Sequence, residues 1–349
     1  MFTKQKIKKI IIRFVVMLLI SITLIFHNYL NPIIKNWLTD INIVSSRNNL
    51  MVHFINVGQG DAIAINLPDG KIMLVDTGPE DNNVTLTNYL KENVLHNRCN
   101  NTIDYLVLTH ADMDHIGGTL RLLKNFNVKT VFMPKVNSNT DGYEEVLTYV
   151  EANCEYRMAY DDYEIKGCEY AITFLKQMSY DDTNDSSQVI KLSCFNKKFL
   201  FTGDISVNIE NEFVELYNEF LDCDVLKVSH HGSNSSTSAE FLMLTSPIYS
   251  VISVGADNNY GHPTEEVLNR INALGSKVLR TDKDGNILFV VGKDYNLTNL
   301  NGKYYVFNLS FDFAYLVVIV DVILMLNIIV IIIKKEKVNK HLVDKTLEY

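Results

Sequence analysis

The chain has 349 residues, 47% of them hydrophobic and 21% charged, with 16 glycines and 6 prolines. Those values exclude collagen, an extended coiled coil and wholesale disorder, and the length leaves room for one large domain with additions or for two small ones. The net charge is −9, and because basic residues gather at the two ends, the middle is acidic and offers no basic groove to track a polyphosphate backbone.

In chain order the first element is an apolar run over 10–30, preceded by Lys4, Lys6, Lys8 and Lys9 and carrying one charge, Arg13. A second apolar run covers 313–333, carries Asp321 inside it, and is followed by Lys334, Lys335 and Lys337. Each has roughly the 20 residues that cross a bilayer's hydrocarbon core. No small-residue cleavage site follows the first run, so it reads as an anchor rather than a cleaved signal. Both basic flanks belong on the cytoplasmic side, which predicts a cell-membrane protein with two spans, cytoplasmic termini and an extracytoplasmic middle.

Between these runs the pattern alternates strands with helices. Residues 51–56, 62–67 and 71–76 read as strands, the last two joined by Pro68-Asp69-Gly70, a hairpin turn signal. A helix is expected over 84–95, a short buried strand over 105–109 ending at His110, a helix over 118–124 and a strand over 130–133. The second half predicts strands over 170–175, 187–194 and 199–202, a helix over 210–220, and a strand over 225–229 ending at His230. A strand over 248–254, a helix over 265–274 and strands over 278–281 and 287–291 follow. Residues 181–187 read as a polar loop and 294–308 as a polar tether. Hairpins mixed with strand–helix units predict two mixed sheets with helices outside. The five cysteines, Cys99, Cys154, Cys168, Cys194 and Cys223, form no C-x-x-C pair, and an odd count leaves at least one thiol unpaired.

The stretch Thr109-His110-Ala111-Asp112-Met113-Asp114-His115-Ile116-Gly117-Gly118 packs two imidazoles and two carboxylates into six residues. It follows an apolar strand and precedes a Gly-Gly that opens a helix, so several side chains are aimed at one point beyond the strand end. Mixed His and Asp donors suit Zn²⁺ or Mn²⁺, with more carboxylate favouring the harder ion. Three further loops have the same placement. Asp204 follows a strand in Leu200-Phe201-Thr202-Gly203-Asp204, His230-His231-Gly232-Ser233 follows another, and His262 precedes a helix in Tyr260-Gly261-His262-Pro263. Taken singly, these are ordinary loop and cap residues. Together they place four chemistry-bearing loops where strand ends on one sheet edge converge.

The ordered motifs HFINVGQGDA, IMLVDTG, DYLVLTHADMDHIGG, LFTGD, VLKVSHHGS, YGHP and RTDKDG resemble the metallo-β-lactamase superfamily. Within it they are similar to the extracellular hydrolase domain of ComEC-type competence (DNA-uptake) proteins, over about His53 to Phe289. The resemblance implies an α/β fold, the αβ/βα metallo-β-lactamase sandwich, here flanked by two transmembrane helices. The expected organisation is a basic tail and first span at 1–35, a hydrolase domain at 46–300, and a second span with a basic tail at 311–349.

The resemblance further implies that Asp76 supports the metal loop. Asp114, His115, Asp204 and His230 match the ligands of one metal, and His110 and Asp112, with Asp204 bridging, match those of the other. Two departures stand out. Asp112 occupies the second histidine of the superfamily's H-x-H-x-D-H, and the third-motif region at 184–189 holds no histidine. Of the adjacent pair, His230 is favoured as ligand because it directly follows the strand, with His231 the alternative.

The implied chemistry is hydrolysis by metal-activated water with two divalent ions, Zn or Mn. Asp114 orients the water, His231 or His262 contacts a phosphate oxygen or protonates the leaving group, and Gly232 and Ser233 bind substrate with His262. The expected function is a membrane-anchored extracytoplasmic phosphodiesterase or nuclease acting on DNA. One alternative is a phosphodiesterase on phosphorylcholine or teichoic-acid-like wall groups. Another is a non-catalytic binding module of a DNA-uptake assembly, partnered by its other membrane components.

Overall fold

The structure, a computed structural model, describes residues 43–45, 48–95, 101–135, 141–158, 163–175, 180–294, 296–301 and 305–307. They belong to one compact unit, Ile43–Asn308.

The first half of this unit lays down β1 (Ile43–Ser45), β2 (Leu50–Phe54), β3 (Ile63–Asn66), β4 (Ile72–Val75), β5 (Thr102–Val107), β6 (Asn127–Met133) and β7 (Glu155–Met158). The second adds β8 (Tyr163–Lys166), β9 (Tyr170–Phe174), β10 (Ile190–Cys194), β11 (Lys197–Phe201), β12 (Val225–Lys227) and β13 (Tyr249–Ile252). It ends with β14 (Lys277–Arg280), β15 (Ile287–Val291), β16 (Leu297–Asn301) and β17 (Tyr305–Phe307). Two large sheets result, ordered β16-β15-β2-β3-β4-β5-β6-β7 and β14-β13-β12-β11-β10-β9-β8, while β1 and β17 pair separately and in parallel.

Period-two alternation explains why the sheets stack. Met73 and Val75 of β4 join the core between the sheets, whereas Ile72 and Leu74 join a second core on the opposite face. Strands buried on both faces read as continuous apolar runs for this reason. The inner core is rich in aromatics: Phe54 meets Phe289 at 6.0 Å edge-on and Phe201 at 6.1 Å. Burying each such side chain stabilises the fold by about 1.5–3 kcal/mol. The outer face of the first sheet is covered by helices Asn83–Tyr89, Thr119–Asn125 and Asp141–Asn153. Helices Val207–Tyr217, Ala239–Thr245 and Glu265–Leu274 cover the second. This is the expected αβ/βα sandwich, and its hairpin β3–β4 turns at Pro68-Asp69-Gly70 with Ile63 opposite Val75.

The membrane part of the expected architecture is corrected. Among the described residues no helix is long and apolar enough to cross a membrane. Helix Asp141–Asn153, with 13 residues, spans roughly 20 Å at the α-helical rise, short of the roughly 30 Å hydrocarbon core. The two apolar runs, 10–30 and 313–333, lie outside the described residues. The expected flanking transmembrane helices, membrane anchoring of the hydrolase and two-span topology with cytoplasmic termini thus have no counterpart among the described residues.

Two local expectations also change. The stretch read as a polar tether carries β16, which pairs antiparallel with β15, Leu297 opposite Val291 and Asn301 opposite Ile287. Leu297 packs on the inner core and Leu300 on Met51, Leu288 and Val290, enough apolar anchoring to override the asparagines. Residues 134–169, given no element from sequence, hold helix Asp141–Asn153, β7 and β8. Cys154, Cys168, Cys194 and Cys223 are all free thiols; Cys194 and Cys223 are buried, and Cys168 is exposed.

Candidate metal centre

Ligands in open α/β sheets gather outside the carboxyl ends of the strands. Here the loops leaving β4 and β5 in one sheet meet those leaving β11, β12 and β13 in the other. Asp76, directly after β4 and at φ +58°, is fully buried. Its carboxylate accepts from the Thr109 backbone N–H at 2.8 Å, from the Thr109 hydroxyl at 2.7 Å, and from His115 Nδ1 at 2.8 Å. One side chain thus ties both ends of the 109–115 loop, and the hydrogen bond to Nδ1 aims His115 Nε2 away from it.

That Nε2 lies 3.4 Å from Asp204 Oδ2 and 3.4 Å from His231 Nε2. His231 Nε2 lies 3.1 Å from Asp204 Oδ2 and 3.2 Å from Asp114 Oδ2, while its Nδ1 donates to the Ser253 carbonyl at 2.8 Å. Donor atoms within 4.8 Å of one another form three groups: His110, His115 and Asp204; Asp114, His115 and His231; Asp61, Asp76 and His115. The electrostatics follow from this crowding. Burial lowers the His115 pKa, but the Asp204 and Asp76 carboxylates outweigh it and hold the ring well above its ordinary value. Burial likewise opposes the charge on His231, yet Asp204 and Asp114 raise it to about 9. Burial pushes the Asp114 carboxyl up, and the two facing imidazoles pull it further down, so it ends well below the usual carboxylate range.

His110 sits fully buried beside this group, its ring 4.1 Å from that of His115. Its Nδ1 contacts the hydroxyls of Thr109 at 3.0 Å and Ser187 at 3.2 Å. Burial, then the neighbouring His115, drops its pKa to about 4, leaving a neutral ring with a lone pair to give. His110 Nε2 and Asp204 Oδ1 are both buried with no hydrogen-bond partner among the described residues. Buried polar atoms are normally partnered, so two orphaned donors within one group of imidazoles and carboxylates fit a divalent cation. Asp112 does not join any of the three groups. Its Oδ1 accepts from Thr183 Oγ1 at 2.6 Å, and Oδ2 stays 3.9 Å from His110 Nε2, with the side chain 35% exposed.

For the adjacent histidines the geometry reverses the expected order. Both have left-handed backbones, His230 at φ 49°, ψ 47° and His231 at φ 51°, ψ 21°, a conformation that non-glycine residues seldom adopt and that clusters at functional sites. The double left-handed turn carries the His231 ring into the group and leaves His230 outward. His230 Nδ1 is 3.5 Å from the Ser235 hydroxyl, and its ring lies 5.6 Å from that of His262. His262 belongs to none of the three groups either. Ser233 donates its N–H to the His230 carbonyl at 2.8 Å, and Gly232, at φ +82°, packs against Pro263 where any Cβ would crowd the ring.

Two residues without a sequence assignment lie beneath the centre. Lys227, at the end of β12, and Asp61, in the loop after β2, form a fully buried ion pair of 2.7 Å. Burial disfavours the Lys227 charge, but Asp61 and Asp204 more than offset that and raise its pKa. Asp61 Oδ1 also lies 3.7 Å from His231 Nδ1. Its loop braces the metal loop directly: the Asp61 N–H donates to the Asp114 carbonyl at 3.3 Å, and a Cβ at Gly60 would collide with that carbonyl. A lysine inside the otherwise apolar Val225-Leu226-Lys227-Val228 was the available signal.

Comparison with known proteins matches this unit to a family described as the metallo-beta-lactamase superfamily, over residues 55–256. The ComE operon protein 3 of Bacillus subtilis (strain 168) is 31% identical over 257 residues, which is 68% of this chain and 32% of that protein. The competence protein ComA of Neisseria gonorrhoeae is 35% identical over 191 residues, 55% of this chain and 26% of that one. The chain thus spans between about a quarter and a third of the length of the curated relatives it matches. Among solved structures, the metallo-beta-lactamase fold protein YhfI from Bacillus subtilis superposes with a TM-score of 0.44 at 12% identity, covering 73% of this chain and 100% of that one.

Proposed function

The chain belongs to the metallo-beta-lactamase superfamily, and we propose that it is a metal-dependent phosphodiesterase with DNA as its substrate class. The observation that carries the reading is the convergence of His110, His115, Asp204, Asp114 and His231 from both sheets, with orphaned donors at His110 Nε2 and Asp204 Oδ1. Under this reading Asp114, His115, His231 and Asp204 hold one divalent ion. His110 and Asp204 hold a second, with Asp112 the weakest contributor. A divalent ion bound there supplies a lowered pKa for water and charge neutralisation for a phosphate. Three imidazoles and two carboxylates among the donors suit Zn²⁺ or Mn²⁺.

The chain's own residues divide the remaining work. Asp114, 33% exposed, is the carboxylate that reaches the mouth of the site and orients the attacking water. His230 and His262 line the same mouth and contact the phosphate. His262 is held below its usual pKa by burial and then by the two neighbouring histidines, so at pH 7 it offers a neutral ring N–H rather than a second cation. Ser233 adds a hydroxyl. DNA as the substrate class is supported by the motif resemblance to DNA-uptake proteins and by the name of one relative, competence protein ComA.

The test is hydrolysis of bis-p-nitrophenyl phosphate and of single-stranded DNA before and after chelation. Activity that vanishes with chelator and returns with Mn²⁺ or Zn²⁺ is expected. Undiminished activity after thorough chelation, with no residual metal by elemental analysis, would sink the reading.

A further inference from the structure

From the buried centre to the mouth of the site the rings form a continuous row that ends in solvent. His115 and His231 lie 5.3 Å apart, His231 and His230 6.3 Å, His230 and His262 5.6 Å, and His262 and Tyr260 5.7 Å. The last pair is stacked, at an interplanar angle of 22°. Tyr260 is 70% exposed, so its ring contributes little to the core, yet its loop is held firmly. Asn258 accepts from the Tyr260 N–H at 3.2 Å and the His262 N–H at 3.0 Å, and donates to the His262 carbonyl at 2.7 Å and the Gly255 carbonyl at 2.9 Å. Gly255 donates in turn to Gln59 Oε1 at 3.2 Å, which ties the Tyr260 loop to the loop of Asp61. Gly261 beside it has open space where a Cβ would stand, so nothing crowds an incoming ligand on that side.

We infer that Tyr260, backed by His262, is a stacking platform for one unpaired nucleobase of a DNA strand whose phosphate lies over the His230–His231 turn. The inference rests on the phosphodiesterase reading above and adds to it a preference for single strands. A base inside a duplex already has both faces stacked on its neighbours and gains nothing from the tyrosine. An unpaired base has a free face, and stacking on an aromatic side chain is tolerant of sequence. The pinned loop matters because a ring presented by a fixed backbone loses little freedom when it is covered. The net charge of −9 points the same way: it gives the strand's other phosphates little attraction, so a base face is an added handle.

The experiment uses the full chain in the presence of chelator, so that the strand stays uncut, and follows fluorescence anisotropy of a dye-labelled oligothymidine. Tyr260→Ala should weaken binding roughly five- to hundredfold, the range expected for loss of one stacked base, while Tyr260→Trp and Tyr260→Phe stay within about twofold of the parent. An oligonucleotide of the same length with abasic sites should bind the parent as weakly as oligothymidine binds Tyr260→Ala. Unchanged melting temperature in the alanine variant separates lost stacking from lost fold. An affinity for oligothymidine unaffected by Tyr260→Ala, or equal affinity for abasic and normal strands, overturns the inference. If the parent hydrolyses bis-p-nitrophenyl phosphate in that case, only the platform fails. If it hydrolyses no phosphodiester at all, the broader reading fails, whatever Tyr260 does.

Discussion

The two sides of the candidate metal centre are built to different standards. On one side both imidazoles are held from behind. His115 is tied through Nδ1 to Asp76 at 2.8 Å, His231 through Nδ1 to the Ser253 carbonyl at 2.8 Å, and Asp61 and Lys227 fill the space below. On the other side His110 is held by two hydroxyls, and Asp112 is turned toward Thr183 rather than toward the imidazole it was expected to join. The partner behind a ligand sets its tautomer and direction, so the first side is preorganised and the second is not. Asp204 faces both.

The comparison breaks most visibly if Asp204 is not shared. Asp204→Asn keeps the shape and removes the charge that both sides need, so it should abolish binding of both metal equivalents and lower kcat by about three or more powers of ten. Metal content and turnover measured on one preparation decide the matter. Retention of one full equivalent would show that the sides are independent.

The brace under the first side is the next lever. Lys227→Met takes the 2.7 Å partner from buried Asp61 and leaves it only His231 at 3.7 Å and His115 at 4.0 Å, a change expected to cost up to about 3–5 kcal/mol of stability. Adding Asp61→Asn should recover a large part of that loss, because the double variant no longer buries a carboxylate without its lysine. Urea unfolding of the two variants beside the parent checks it. Equal stability of parent and Lys227→Met would mean that the pair is no clamp.

A further pair of variants tests which histidine turns inward. His231→Ala removes a donor that touches Asp114 and Asp204, and should cut metal affinity at least about a hundredfold, beyond the 10–100-fold typical of losing a supporting partner. His230→Ala should keep metal content near that of the parent and lower turnover only. Calorimetric titration with Mn²⁺ distinguishes them. The reverse order would restore the ligand assignment expected from the sequence.

What the sequence disclosed and what it withheld divide along physical lines. The clustering of His110, Asp114 and His115 was legible because they lie within six residues, follow an apolar strand and precede Gly117-Gly118, whereas spacing did not show that Asp112 turns to Thr183. The sandwich was legible because strands such as β4 are apolar on both faces. The choice between His230 and His231 was not, since it depends on two successive left-handed backbones that no residue type there announces. Asp61 and Lys227 are far apart in the chain and meet only through the stacking of the two sheets. The tether at 294–308 misled because asparagines outnumber the two leucines, yet Leu297 and Leu300 have cores to reach on either face of the strand.

The smallest expected effect lies on the less organised side. Asp112→Asn removes a charge from a carboxylate whose nearer oxygen stays 3.9 Å from His110 Nε2 and whose other oxygen is occupied by Thr183. Burial, opposed by the Thr183 hydrogen bond, leaves its pKa above the usual value, so it gives up its charge more readily than Asp114 or Asp204, which are held below theirs. A carboxylate so placed adds little to a site that Asp204 and His110 already form. The variant should therefore keep the tighter metal equivalent unchanged, weaken the second by about tenfold, and lower turnover by no more than that factor. Asp114→Asn, on the organised side, should by contrast lose the tighter equivalent. Titration of both variants with Mn²⁺ under identical conditions exposes the asymmetry directly. Equal losses would show that Asp112 swings onto the ion when one is present, and that the two sides differ only before metal arrives.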